Sequence, residues 1–265
     1  MIIYKPIKDS YISQKFGESR ACIRTDKNGI PYRPYQVIGK SANSTCPINS
    51  INFYTAIGMK NHNGVDRATY YNSPSYFAVI AETEWVVKNA MDFDGGIGMD
   101  IFSKSRIYID KLPKETGRQA RADWKKNNKN MYVKFRYWHA NKNVIEDNKP
   151  VLVQDLIQLS GSTGASSGVH SHDGFKFCDG NRQTLDKDNG YYGAVDFSRW
   201  YNDTFILDLF EKQPKLTIEQ TLYKLAWNIR NFDRKTAEIY KAVARLVVAF
   251  SSKVVGGISL LVKKK

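Results

Sequence analysis

The four histidines of this chain are the residues whose types and spacing could do chemistry. His62 and Asp66 form a His-x-x-x-Asp pair, and His170 and His172 form a His-x-His pair. Residues two or four apart share one face of a β-strand, so each pair would present its side chains together. Three nitrogen and oxygen ligands from two strands, with a fourth position open to water, are the composition of a catalytic zinc site. Each pair alone is a weak signal, because a histidine in a β protein is usually a packing or surface residue.

The order and surroundings of these residues strengthen the signal. The histidines lie in or beside six recognisable segments: Ile12–Gly17, Gly58–Asp66, Ser75–Val87, Gly95–Gly98, the Tyr-x-His motif Tyr137–His139, and the Gly-rich approach Val151–Gly168 to the His-x-His strand. In these segments the chain resembles the lysostaphin-like family of zinc endopeptidases, which cleave bacterial cell-wall peptides, over roughly residues 11–178. All four histidines fall on family positions in family order.

The resemblance implies a ligand set and a mechanism. His62, Asp66 and His172 would bind Zn²⁺, which polarises the scissile carbonyl and activates a water molecule. His139 and His170 would lie beside the metal as catalytic residues, one taking the proton of the water and both stabilising the oxyanion. Which histidine is the general base stays open. The expected substrate is peptidoglycan, cleaved in its stem peptide or cross-bridge.

Three segments depart from the family pattern or extend it. Ser171 stands where the family usually has Leu, and Asp173-Gly174 replaces a Phe-Glu pair. We expect Asp173-Gly174 to form a turn or bulge in the strand. The segment 190–196 resembles the ends of such domains in bacteriophage proteins. With no secretory signal at the start of the sequence, it favours a phage lysin or virion-borne enzyme, made in the cytoplasm and acting on the cell wall.

The net charge favours an anionic partner but does not distinguish among the classes of anionic partner. Forty Lys and Arg against 26 Asp and Glu give +14, which favours nucleic acid, a membrane surface or an acidic wall polymer. The sequence has no phosphate-binding loop, no Gly-x-Ser-x-Gly elbow and no RNA-binding signature, so nucleic acid is the weaker interpretation. The main alternative to an enzyme is an inactive relative that serves as a virion structural or wall-binding module.

Short β-type runs separated by Gly, Asn, Asp and Pro fill residues 1–210. They predict a mainly β domain, an antiparallel sheet or sandwich. The clearest runs are Tyr76–Ile80, Trp85–Val87, Met131–Trp138, Leu152–Leu159 and Gly174–Phe177. Two insertions, at about 18–50 and 104–130, have no clear period and are expected to be loop-like. Cys22 and Cys46 are compatible with a disulfide, but free thiols are favoured without an export signal.

The pattern changes in residues 211–265, which we interpret as a linker, an amphipathic helix and an apolar basic tail. Apolar residues recur at steps of four and three from Ile218 to Phe250, which predicts one long helix. Its apolar stripe should pack on the domain, on a second copy or on a phage structural protein through residues 215–250. The terminal apolar run and its lysines favour weak membrane contact.

Overall fold

The structure is a computed structural model, and it describes residues 1–19, 21–33, 35–40, 45–92 and 95–211. The chain divides into two compact units, Met1–Asp208 and Leu209–Lys265. The predicted helix and tail of residues 215–265 lie outside the described residues. No helix in the described ranges is long and apolar enough to cross a membrane.

Short strands dominate the described residues, and most pair antiparallel, which confirms the predicted mainly β class. The strands are β1 (Ile2–Lys5), β2 (Tyr11–Gln14), β3 (Ala21–Arg24), β4 (Val37–Lys40), β5 (Ser50–Asn52), β6 (Val65–Ala68), β7 (Pro74–Tyr76), β8 (Val79–Ile80), β9 (Trp85–Asp92), β10 (Gly96–Ser103), β11 (Ile107–Tyr108), β12 (Asn130–Asn143), β13 (Pro150–Val151), β14 (Leu156–Ser160), β15 (His170–Cys178) and β16 (Tyr201–Phe205). The helices are α1 (Phe53–Ala56), α2 (Arg118–Lys126), α3 (Asp208–Glu211) and a 3₁₀ turn at Ser198–Trp200.

The main sheet has ten strands and runs β13-β9-β10-β12-β15-β6-β2, with β11, β14 and β7 attached at its side. One face packs on the hydrophobic core through alternating residues such as Ile101, Phe135, Phe175 and Phe177. Side chains directly opposite each other on neighbouring strands share a face of the sheet. Because successive residues of a strand alternate between the two faces, the residues between the core-facing ones point to the other face. That second face carries His172 and Asp66, and it is the polar face of the sheet.

The two insertions are ordered in their described parts, so the expectation of loops is wrong. Residues of the first form a three-stranded sheet, β4-β3-β5, and a disulfide joins Cys22 to Cys46. The disulfide also corrects the prediction of free thiols, although Cys178 is a free, buried thiol. The second insertion contains β11 and α2. Trp124 Nε1 of α2 donates to the carbonyl of Ile109, the residue that follows β11, at 2.7 Å.

Candidate metal centre

Strands β6 and β15 bring two of the predicted ligands together. His172 lies directly opposite Asp66 in the antiparallel ladder, and His172 Nδ1 is 3.0 Å from Asp66 Oδ1. His170, two residues earlier on β15, shares the face, as the His-x-His spacing predicts. Its Nε2 lies 3.8 Å from the same carboxylate oxygen. The strand register alone therefore places three polar side chains at one point of the sheet.

His62 reaches the same point from a loop, not from a strand. Strand β6 begins at Val65, so the expectation that His62 and Asp66 share a strand face is wrong. Gly64 lets the loop pass close to β15, since a Cβ there would lie 2.5 Å from His172 Nε2. His62 is buried, and its Nδ1 lies 3.0 Å from the Lys15 carbonyl oxygen. A carbonyl only accepts, so Nδ1 carries the proton and Nε2 faces Asp66 and His172.

The three predicted ligand atoms form a nearly equilateral triangle. His62 Nε2, Asp66 Oδ1 and His172 Nδ1 lie 3.0 Å from one another. In a tetrahedral zinc site with ligand distances of about 2.0–2.2 Å, ligand atoms lie about 3.3–3.6 Å apart, so a few tenths of an ångström of opening suffice. A neutral His62 would point a lone pair at the carboxylate, a repulsive contact unless a cation lies between them. The donor set therefore fits a divalent metal.

The electrostatics of the triangle also favour one added cation. Burial alone would raise the pKa of Asp66, but the neighbouring His62 and His172 hold it well below its ordinary value. Burial opposes protonation of His62 as well, yet Asp66 outweighs it and raises the pKa of His62. Burial lowers the pKa of His172, and the positive charge of His62 lowers it further. The group thus accommodates one positive charge beside Asp66, which a metal ion would supply in place of a proton.

His139 lies on a bulge of β12 next to this group. The β10–β12 register shifts between Ile97 and Met99, and His139 has a φ of 67°, in the left-handed region that a non-glycine residue rarely adopts. His139 Nδ1 lies 2.8 Å from the Thr163 carbonyl oxygen, so Nδ1 donates and Nε2 is the basic nitrogen. Burial lowers the pKa of His139 to about 3, helped by His170. The ring is therefore neutral near pH 7, with Nε2 unprotonated.

His170 has the same tautomer by the same logic. Its Nδ1 lies 2.8 Å from the Gly168 carbonyl oxygen and 3.2 Å from Ser166 Oγ. Its ring centroid is 4.5 Å from that of His139, so the two rings form a pair at the edge of the triangle. Two imidazoles that each use Nδ1 toward a backbone carbonyl and present Nε2 beside a metal triangle are placed for proton transfer.

A cleft of about 600 Å³ opens over all five residues. Its walls include Ala21 of β3 and Val37 of β4, so the first insertion shapes the groove, and Phe53 of α1 adds to the lining. The segment 165–169 forms another part of the lining, and Tyr11 stands 70% exposed at the cleft. An extended polymer can therefore reach the histidines from solvent.

Two residues that hold the histidines of the site in place were not predicted from the sequence. Thr163 fixes the bulge, since its Oγ1 donates to the Ala140 carbonyl and accepts from the Ile97 amide while its carbonyl holds His139. Its position inside the Gly-rich segment was the available signal. Lys15 acts through its backbone carbonyl, for which a side-chain pattern gives no signal.

The departures from the family pattern form a buried polar network on the core face. Arg67 Nε donates to Asp173 Oδ2 at 2.7 Å, and Ser171 Oγ donates to Asp173 Oδ1 at 2.6 Å. Strand β15 runs through Asp173 and Gly174 with unbroken pairing to β12. The expected turn or bulge at Asp173-Gly174 is therefore wrong, because Arg67 accommodates the carboxylate inside the sheet.

No family model matches the chain, and no curated protein matches it. Solved structures do. The catalytic domain of the antimicrobial peptidase lysostaphin from Staphylococcus simulans is 18% identical, with a TM-score of 0.31, over 50% of this chain and 80% of that one. A zinc-containing peptidase from Vibrio cholerae is 16% identical, with a TM-score of 0.36, over 70% of this chain and 39% of that one.

A third similar structure is a chain of the SpoIIQ–SpoIIIAH pore-forming complex. It is 12% identical, with a TM-score of 0.37, over 81% of this chain and 98% of that one. Likenesses of this degree carry no functional argument.

Proposed function

We propose that this chain is a zinc-dependent endopeptidase that hydrolyses peptide bonds in bacterial peptidoglycan. The observation that carries the proposal is the triangle of His62 Nε2, Asp66 Oδ1 and His172 Nδ1 with 3.0 Å edges, in an open cleft. His62, Asp66 and His172 would hold the ion. When bound, zinc polarises a carbonyl oxygen and lowers the pKa of a water ligand to about 7.

His139 and His170 would supply the proton chemistry. Each has its Nδ1 proton committed to a backbone carbonyl, so each presents a basic Nε2 to the cleft. One would accept a proton from the attacking water and then donate it to the leaving amine. The other, after taking up a proton from solvent at Nε2, would donate a hydrogen bond to the developing oxyanion. The fixed tautomers mean that neither ring must reorganise when the reaction starts.

The test is digestion of purified peptidoglycan by the full chain, with and without a chelator, with the products identified by mass. We expect new amino and carboxyl termini at one type of peptide bond, loss of activity with the chelator, and recovery on adding zinc. His172→Ala should bind no stoichiometric zinc, because two remaining protein ligands rarely hold a catalytic ion. The masses also identify the bond that is cleaved.

Lys15→Ala is the matched control. Lys15 supports His62 only through its backbone carbonyl, and its side chain is exposed, so zinc content and activity should equal those of the parent. A folded, zinc-loaded parent that releases no peptide termini would contradict the enzyme and favour the structural or wall-binding module. Stoichiometric zinc in folded His172→Ala would contradict the ligand set.

A chain with this activity would act on the bacterial cell wall. The phage lysin or virion role suggested by residues 190–196 stays a prediction. Detection of the chain in purified virions, or lysis of cells by the chain added from outside, would test it.

A further inference from the structure

The polar face of the main sheet carries a second group of charged residues beyond the metal centre. Lys134 and Arg136 lie on β12, and Lys176 lies on β15, four residues after His172. At a rise of about 3.3 Å per residue, this group is about 13 Å along the strand from the predicted ligand. Lys134 and Lys176 are direct cross-strand partners, although like charges placed opposite each other destabilise a sheet.

The carboxylate that pairs with this group carries less negative charge than its two lysines and one arginine carry positive charge. Asp100 of β10 accepts from Lys134 Nζ at 3.0 Å and from Arg136 Nε at 2.8 Å. Among the described residues, it is the one carboxylate that forms an ion pair with either of them. Lys176 Nζ donates to the Tyr192 carbonyl at 2.7 Å, which satisfies a hydrogen bond but adds no counter-charge.

These cations are buried, which separates them from an ordinary basic surface. Lys134 is 5% exposed and Lys176 is 4% exposed. Burial, together with the neighbouring Arg136 and Lys134, holds the pKa of Lys176 well below its ordinary value. Asp100 offsets part of this positive charge. Buried cations that are only partly compensated cost stability, so the fold retains an arrangement that is unfavourable in the absence of an anion.

The cations surround a pocket of about 250 Å³. Lys134, Arg136 and Lys176 line it, and the exposed Arg182 and Lys187 complete it at the surface. The five basic side chains of the lining outnumber the two carboxylates that interact with them, Asp100 and, toward Arg136, Asp92, which favours a multiply charged anion over a monocarboxylate. Gln183 and Thr184 add neutral polar groups to the lining.

We propose that this pocket is a binding site for a phosphate group, presented either as the free ion or as part of a phosphodiester. Lys134 and Lys176 supply charge from the floor, Arg136 supplies directed N–H donors, and Arg182 closes the mouth. Arg136 and Tyr192 also line the cleft over the metal centre, so a bound phosphate lies beside that cleft. The proposal is independent of zinc and of peptide hydrolysis.

The test is calorimetric titration of the zinc-loaded full chain with inorganic phosphate, with bis(glycerol) phosphodiester and with acetate. Phosphate should bind, and acetate should bind at least about ten-fold more weakly. Lys134→Met and Lys176→Met should each weaken phosphate binding about ten-fold or more, the usual size for a charged hydrogen-bond partner. Lys142→Met is the matched control on β12, because Lys142 is exposed and outside the pocket, and it should bind phosphate as the parent does.

Two further variants fix the location of binding. His172→Ala should keep the phosphate affinity, whereas loss of binding there would place the anion at the metal centre and overturn the proposal. Arg182→Gln alters an exposed residue, so it remains informative even if a buried lysine variant fails to fold, and it should weaken binding several-fold. Unchanged affinity in Arg182→Gln and in the folded lysine variants, or equal affinity for acetate, would also overturn the proposal. Binding of the diester identifies a phosphodiester as ligand, and binding of inorganic phosphate alone identifies the free ion.

Discussion

The buried ion pair between Arg67 and Asp173 gives the sharpest stability prediction. Their side chains are 2% and 9% exposed, and the Arg67 Nε to Asp173 Oδ2 distance is 2.7 Å. Asp173→Asn keeps the size of the side chain and removes its charge. Arg67 would then be a buried guanidinium whose partners, the amide introduced at position 173 and the Tyr201 hydroxyl at 2.9 Å, are both neutral.

The magnitude follows from burial. Removing one partner of a buried ion pair typically costs about 3–5 kcal/mol, because the other charge is left uncompensated. Neither side chain is exposed enough for water to replace the lost partner. For a protein of this size, 1 kcal/mol shifts the melting temperature by about 2–4 °C. We therefore expect Asp173→Asn to melt about 6–20 °C below the parent.

The assay is thermal unfolding followed by circular dichroism, with two comparison variants. Glu84→Gln breaks the Glu84–Lys104 pair, whose side chains are 56% and 49% exposed, and should cost at most about 1 kcal/mol. The double variant Arg67→Met/Asp173→Leu replaces the pair by apolar side chains and should recover most of the loss. A decrease in melting temperature for Asp173→Asn no larger than that for Glu84→Gln would refute the reasoning.

Three further predictions concern single substitutions. His139→Ala should keep zinc and lose about a hundred- to ten-thousand-fold in rate at matched zinc content, whereas parent-like activity would place the proton chemistry elsewhere. Burial alone would raise the pKa of Asp100, but Arg136 and Lys134 outweigh it and lower that pKa. The ionised carboxylate therefore stabilises the fold at pH values above its unfolded pKa of about 3.9, and this stabilisation is lost as the pH falls below that value. Asp100→Asn should therefore be less stable at pH 7, with the difference from the parent shrinking below about pH 4 in denaturant unfolding. Lys176→Met should be more stable than the parent at pH 7 in phosphate-free buffer, because burial lowers the pKa of Lys176 and its charge opposes folding. The gain in stability should vanish as the pH rises to the unfolded pKa of about 10.4. A gain that does not depend on pH would contradict this cause.

The features set by local spacing were predictable from the sequence. The mainly β class follows from short runs between turn residues, and the shared face of His170 and His172 follows from the two-residue period of a strand. The predicted run Met131–Trp138 lies inside β12, and Gly174–Phe177 lies inside β15. Each of these conclusions needs only neighbours along the chain.

The features set by distant partners were not predictable in this way. His62 lies in the loop before β6, where its ring contacts the Lys15 carbonyl, 47 residues away in the sequence. His139 takes a left-handed conformation because its amide bonds to the Gly95 carbonyl and its ring to that of Thr163. The first insertion contains the Cys22–Cys46 disulfide, and the formation of a disulfide depends on the cellular compartment as well as on the spacing of the cysteines.

The register of β15 links the hydrophobic core to the metal centre. Phe175 and Phe177 point into the core, and His170 and His172 point away from it, because alternate residues of a strand face opposite sides. A slip of one residue would bury both histidines and expose both phenylalanines, so the burial energy of the two rings also fixes the histidine next to Asp66. The Arg67–Asp173 pair adds a charged constraint on the same strand, immediately next to His172. The positions of the predicted ligands are therefore determined largely by residues that never contact the metal, and changes in the core are expected to affect zinc affinity as well as stability.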